Sequence, residues 1–229
     1  MTPEELKNKS AYTVEDVRAL VRILRGEGGC PWDREQTHAS IRRDMLEEAY
    51  EAAEAIDADD DAMLREELGD VLFQVVFHAC LGEEEGRFTL EDLADGVCRK
   101  MIERHPHVFG DVHAADTGAV LDNWEQIKRA SHRQKHTWEA MEGVAKTLPA
   151  LMRAGKMAKK AAKAGLYEPD AALESLSDEE IASRLFALAA AAELRGSCAE
   201  ELLRAYSDGM IHTVREQESK REAANPPQA

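Results

Sequence analysis

Apolar residues recur at helical spacing along most of this chain, and no run of Val, Ile or Thr alternates as a half-buried strand would require. From Thr13, with Glu15 and Asp16 in the first turn, Val14, Val17, Leu20, Val21 and Leu24 fall on one helical face. Gly26, Gly28 and Gly29 end that segment, and Cys30-Pro31-Trp32-Asp33 reads as a compact loop. A second helix is predicted over 39–56, with Ile41, Met45, Ala49, Ala52 and Ile56 inward and the turn at Asp57 to Asp61. In the third, Leu64, Leu68, Val71, Leu72, Val75, Val76 and Ala79 make a stripe broad enough for more than one neighbour. Thr89 with Asp92 reads as a capping box for a fourth helix reaching Met101, which His105-Pro106 stops. A fifth is predicted over 116–136, placing Val120, Leu121, Trp124 and Ile127 together.

From Leu148 the pattern begins again. A basic helix runs to Gly165 with Arg153, Lys156, Lys159, Lys160 and Lys163, and Ser177 with Glu180 and Ser197 with Glu200 read as capping boxes for two more. The residues after Arg215 are polar and are expected to fray. Glu179-Glu180-Ile181-Ala182-Ser183-Arg184-Leu185-Phe186 lines up with Glu66-Glu67-Leu68-Gly69-Asp70-Val71-Leu72-Phe73 as an internal repeat. The expectation is an all-α bundle over 1–140, a degenerate helical repeat over 141–215 and a polar tail over 216–229.

Composition narrows the function classes. Acidic residues number 45 against 29 basic, a net charge of −16, which disfavours steering toward nucleic acid, so the basic helix reads as a solvated or docking face. No apolar run reaches the roughly 20 residues that cross a bilayer, and the N-terminus has no apolar signal core, so no membrane association and a cytoplasmic location are expected. Cys30, Cys80, Cys98 and Cys198 are too scattered for a zinc ribbon or a disulfide framework.

The acids between Leu46 and Gln74 carry the chemistry. Glu47, Glu48 and Glu51 stand as E-E-x-x-E, and Glu67 and Asp70 as E-x-x-D on the next helix. Residues three apart share a helical face, so Glu48 with Glu51 and Glu67 with Asp70 are carboxylate pairs from successive turns. If the two helices pack antiparallel the pairs face each other, and four like charges that close call for a cation. In the second copy Ser183 stands where Asp70 does and no E-E-x-x-E precedes it, so that half is not expected to build such a site.

These residues resemble the all-α nucleoside triphosphate pyrophosphohydrolases of the MazG type, whose signature is E-E-x-x-E followed by E-x-x-D. The likeness extends to G-C-P-W-D at 29–33, E-E-L-G-D at 66–70, K-M-I-E-R-H-P-H-V-F-G-D at 100–111 and W-E-Q-I-K at 124–128, and resumes at 148–154. It implies Mg²⁺-dependent hydrolysis of a ribo- or deoxyribonucleoside triphosphate to the monophosphate and pyrophosphate, with Mn²⁺ as a substitute ion and a nucleotide-pool house-cleaning role. Glu48, Glu51, Glu67 and Asp70 would be metal ligands and Glu47 the catalytic base or a second-metal contact. Lys100 and Arg104 would meet the phosphates, and a homodimer would complete the site. Trp32 either builds a base pocket or anchors its loop. Gly209 and His212 depart from the phosphate-facing Lys and Arg expected in a second copy. The competing readings are a metal- or nucleotide-binding regulatory protein without turnover, and a di-iron bundle, for which only Glu35-x-x-His38 is present.

Overall fold

The computed structural model describes residues 1–112, 116–118, 120, 123–124, 127–128 and 134–224, and every regular element among them is a helix. The chain divides into two compact units, 1–103 and 104–229, so the boundary expected at 140/141 falls inside the second. No helix among the described residues is long and apolar enough to cross a membrane.

The first unit holds α1 (Pro3–Lys7), α2 (Val14–Arg25), α3 (Pro31–Glu35), α4 (Arg42–Asp57), α5 (Asp61–Glu84) and all but the last residue of α6 (Leu90–Arg104). The capping residues do what the sequence asks of them. Asp16 accepts from the Thr13 amide at 2.8 Å and the Thr13 hydroxyl at 2.9 Å, and Asp92 accepts from the Thr89 amide at 2.8 Å. Asp16 is buried and also takes both carboxylate contacts of Lys9, at 2.6 and 2.7 Å, which with the Thr13 bonds hold its carboxyl below the usual range. A depressed pKa contributes stability above the ordinary carboxylate range that disappears as pH falls through the lowered value. The wild-type urea midpoint should therefore fall between about pH 5 and pH 2. Asp16→Asn should start lower at neutral pH and change less over that window.

The Cys30-Pro31-Trp32-Asp33 segment is not a plain loop: Pro31 opens the short helix α3, a position where its missing N–H is harmless. Gly29 lets this segment turn back on α2. A Cβ there would fall on the Leu24 and Ile23 carbonyl oxygens, so Gly29→Ala should lower stability by about 1–3 kcal/mol in urea denaturation. Arg25 then fastens the segment. Its buried guanidinium donates to both Glu84 carboxylate oxygens (2.8 and 2.7 Å), to the Asp33 carbonyl and to the Gln36 carbonyl (3.1 Å), above the Phe77 ring at 5.3 Å.

Helices α4 and α5 form an antiparallel hairpin across a three-residue turn, Ala58 to Asp60, in which Asp59 takes φ 53° and the Asp60 side chain caps α5. The inward face of α4 differs from the expected one. Ile41, Ala52 and Ala55 are buried, but Met45, Ala49 and Ile56 are exposed. The small side chains of Ala52 and Ala55 allow close approach to α5, and that orientation turns Glu48 and Glu51 toward the hairpin seam. Beyond the acids, Val21, Ile41, Val76, Phe77, Cys80 and Leu81 make the core, flanked by Val17, Phe73 and Leu90. The apolar stripe of α5 is thus buried only in its C-terminal half. Leu68 and Leu72 are exposed, as are all residues of α6 from 91 to 100.

The second unit contains α7 (Pro106–Phe109), α8 (Thr137–Glu142), α9 (Ala150–Lys163), α10 (Ala171–Glu174), α11 (Asp178–Leu194) and α12 (Ala199–Ala224). Of the helix predicted over 116–136, residues 117–118, 120, 123–124 and 127–128 are helical, Leu121 lies outside the described residues, and 134–135 are not helical. Met141, Val144, Met157, Ala161, Leu166, Ile211 and Val214 form the core. Arg153, read from the sequence as part of a basic face, is instead fully buried and donates to Asp208 at 2.7 Å. The Ser197–Glu200 box is also corrected, because Glu200 accepts from the Ala150 amide at 2.8 Å and caps α9. Nor does the chain fray at 216. Helix α12 continues to Ala224, where Glu218 accepts from the Thr137 amide (2.9 Å) and Arg221 donates to the Gly165 carbonyl (2.6 Å).

Candidate metal centre

The hairpin seam brings together Glu48 of α4 and Glu67 and Asp70 of α5, each offering a carboxylate oxygen within 4.8 Å of the others. Glu51, one turn after Glu48, lies outside that tight group but close enough for its charge to act on both Glu48 and Glu67. Burial, followed by the charges of Asp70, Glu51, Glu67 and Glu47, raises the Glu48 pKa; burial, followed by Glu51, Glu66 and Asp70, raises that of Glu67. Among the described residues none of Glu48, Glu51, Glu67 and Asp70 has a hydrogen-bond or ion-pair partner. Converging carboxylates without a protein cation beside them, two of which, Glu48 and Glu67, hold their protons more tightly than usual, are suited to bind a metal cation. Their hard oxygen donors fit Mg²⁺ or Mn²⁺ rather than a soft metal. The same raised proton affinity means that acidification should weaken cation binding.

Glu47 points elsewhere. It is exposed, lies 3.9 Å from Arg43, and with Leu46, Tyr50, Glu51 and Glu54 lines a depression along α4. Lys100 is exposed on α6. Arg104 is buried, its guanidinium 5.3 Å from the centre of the Trp124 ring, which also carries the Lys128 ammonium at 5.0 Å. Trp32 is exposed on α3, and among the described residues its ring meets no aromatic or cationic partner.

In the second unit the aligned residues are used differently. Glu180, in the place of Glu67, accepts from the Ser177 amide at 2.8 Å and its hydroxyl at 3.0 Å as the closing member of a capping box. Ahead of α11 in sequence the chain forms only one turn of helix, α10, where the first unit has α4. Among the described residues the acids of the first unit are the one group positioned for a metal.

Sequence reasoning missed three further features of the first unit. Arg25 is one, and its signal was weak, a single Arg in the last turn of α2. His38 and His78 are another, with Nδ1 atoms 2.8 Å apart and stacked rings. The third is Gln74, one turn beyond Asp70 on α5, which is 8% exposed and whose Oε1 is buried without a hydrogen-bond partner.

Comparison with known proteins agrees with this geometry. The MazG nucleotide pyrophosphohydrolase domain matches residues 36–109, which contain all five acids of the signature. A nucleoside triphosphate pyrophosphohydrolase of Escherichia coli (strain K12) is 47% identical over 146 residues, 64% of this chain and 56% of that protein. A nucleoside triphosphate pyrophosphohydrolase/pyrophosphatase MazG of Thermotoga maritima is 40% identical over 167 residues, 72% of this chain and 64% of that protein. A 26.1 kDa protein of Streptomyces cacaoi is 38% identical over 182 residues, 77% of this chain and 71% of that protein. The chain therefore spans between about half and two thirds of the two relatives named for an activity.

Proposed function

We propose, since this chain belongs to the MazG nucleotide pyrophosphohydrolase family, that it hydrolyses ribo- or deoxyribonucleoside triphosphates between the α and β phosphates. The products are a nucleoside monophosphate and pyrophosphate, and the role is nucleotide-pool house-cleaning. One observation carries this reading: Glu48, Glu67 and Asp70 converge from two helices with no cation among the described residues to offset them.

The difficulty in this reaction is charge. A polyphosphate repels an incoming nucleophile, so its oxygens must be neutralised and the attacking water held in line. Glu48, Glu67 and Asp70, with Glu51 beside them, would hold Mg²⁺, or Mn²⁺ in its place, which would supply positive charge for the phosphate oxygens. Family resemblance alone assigns Glu47, which here lies 3.9 Å from Arg43, to take a proton from water as the new bond to the α phosphorus forms. The bond to the bridging oxygen breaks, and its electron pair leaves on pyrophosphate. Lys100 and Arg104 are assigned to phosphate oxygens by family resemblance. The same resemblance makes Trp32 a base-pocket candidate.

A homodimer fits the same reading. Leu68 and Leu72 of α5 and Leu93, Val97 and Ile102 of α6 are exposed on the first unit, more apolar surface than a stable monomer ordinarily leaves in water. Glu180 is engaged in a cap and Ser183 offers no carboxylate, which supports the second half as a degenerate, inactive repeat. A cytoplasmic location is proposed on the same family grounds.

The test is turnover of a panel of nucleoside triphosphates by the full chain with Mg²⁺, with a chelator, and with Glu51→Gln. Hydrolysis that requires the ion and is lost in the variant supports the enzyme. Nucleotide binding with no turnover would replace it with a regulatory binding protein.

A further inference from the structure

We propose that Gln74 is a positioning residue for the divalent cation, its side-chain carbonyl accepting a hydrogen bond from a water in the ion's hydration shell. The inference rests on the reading that the seam carboxylates hold such an ion.

Gln74 follows Asp70 by four residues and Glu67 by seven, so the three side chains descend one face of α5 turn by turn. The hairpin register fixes what lies across from it. Glu48 meets Glu67 and Asp70 at one level, and Ile41 packs in the core with Val76 and Phe77 at another. Midway on α4 stands Asp44, half-buried and, among the described residues, not bonded to Gln74. Gln74 therefore forms the floor of the acidic site, at the point where it gives way to the apolar core.

A floor residue at that boundary has no evident reason to be polar on packing grounds. Leu or Met would fill the volume, whereas a buried amide carbonyl without a donor is destabilising. Buried polar atoms left unpaired in this way mark a missing water or ion. A carbonyl oxygen only accepts, and among the described residues no donor is hydrogen-bonded to it. Mg²⁺ gives up its waters reluctantly, so an ion held by carboxylates one turn above would keep O–H donors available to this carbonyl. Outer-shell acceptors of this kind orient the inner shell, and removing one weakens metal affinity about 10- to 100-fold.

The experiment is a titration of metal-free full chain with Mn²⁺, following the free-ion signal by electron paramagnetic resonance, beside thermal unfolding of each metal-free protein. Wild type, Gln74→Met, Gln74→Glu and Glu67→Gln are compared. Gln74→Met should bind Mn²⁺ about 10- to 100-fold more weakly. Its metal-free form should melt at or above the wild-type temperature, because the orphaned carbonyl is gone. Gln74→Glu keeps an acceptor at the same reach and should retain the wild-type affinity or exceed it. A side chain serving only to pack would give the reverse pattern, with lower metal-free stability in Gln74→Met and unchanged Mn²⁺ affinity, and that result overturns the proposal. If Gln74→Met does not fold, Gln74→Asn withdraws the carbonyl by one methylene, and an unchanged affinity there overturns it equally. Loss of binding in Glu67→Gln alone leaves the acidic site standing without Gln74. Failure of the wild type to bind Mn²⁺ at millimolar concentration overturns both.

Discussion

Asp70→Asn is expected to lower turnover of a good nucleoside triphosphate by about 10²- to 10³-fold, the range for removing one electrostatic contributor from a preorganised site. Asp70 is exposed and belongs to no core cluster, so the loss should not come from unfolding. The sign of the stability change separates the two causes. Asp70 is the largest charge contribution raising the Glu48 pKa, and its neutralisation removes repulsion from the seam. Metal-free Asp70→Asn should therefore unfold at or slightly above the wild-type temperature while saturating Mg²⁺ stabilises it less. Initial rates, circular dichroism and melting with and without Mg²⁺ check this together. Activity within a fewfold of wild type would remove Asp70 from the site.

Phe77→Ala is expected to cost about 3–5 kcal/mol in chemical denaturation, the largest single-residue stability loss foreseen in the first unit. Phe77 is 2% exposed, lies at the centre of the cluster with Val21, Ile41, Val76, Cys80 and Leu81, and meets Phe73 edge-on at 5.8 Å. Its ring also supports the Arg25 guanidinium, so truncation leaves a cavity and loosens the residue that fastens α3. Phe77→Leu, which retains most of the volume, should lose much less. An Ala variant within about 1 kcal/mol of wild type would mean that the core collapses around the gap.

Local signals in this chain were legible at most helix starts. The boxes Thr89–Asp92 and Ser177–Glu180 form as their spacing suggests, whereas Glu200 of the Ser197–Glu200 pair is drawn to the Ala150 amide. Rotation about the helix axis was less legible. In α4 the alanines of Ala49-Tyr50-Glu51-Ala52-Ala53-Glu54-Ala55 fit more than one inward face, and only the approach of α5 selects Ala52 and Ala55 over Ala49. The acidic pairs were visible because E-E-x-x-E and E-x-x-D are spacing rules within single helices. Their separation, with Glu48, Glu67 and Asp70 tight and Glu51 just outside, depends on the seam.

Apart from the acids, tertiary pairs were not visible. Arg25 with Glu84, His38 with His78 and Arg153 with Asp208 join residues 40 to 59 apart, and nothing local marks either partner. The same holds for the tail. Residues 216–224 are polar enough to fray in isolation, but Glu218 finds a backbone partner at the start of α8 and Arg221 one just past the end of α9. Polarity there signals capping of distant backbone groups.

Phosphorus NMR of one nucleoside triphosphate consumed by the full chain with Mg²⁺ reads the cleaved bond from its products. The three triphosphate resonances should give way to those of a nucleoside monophosphate and pyrophosphate in equal amounts. Nucleoside diphosphate with orthophosphate would contradict the assigned bond.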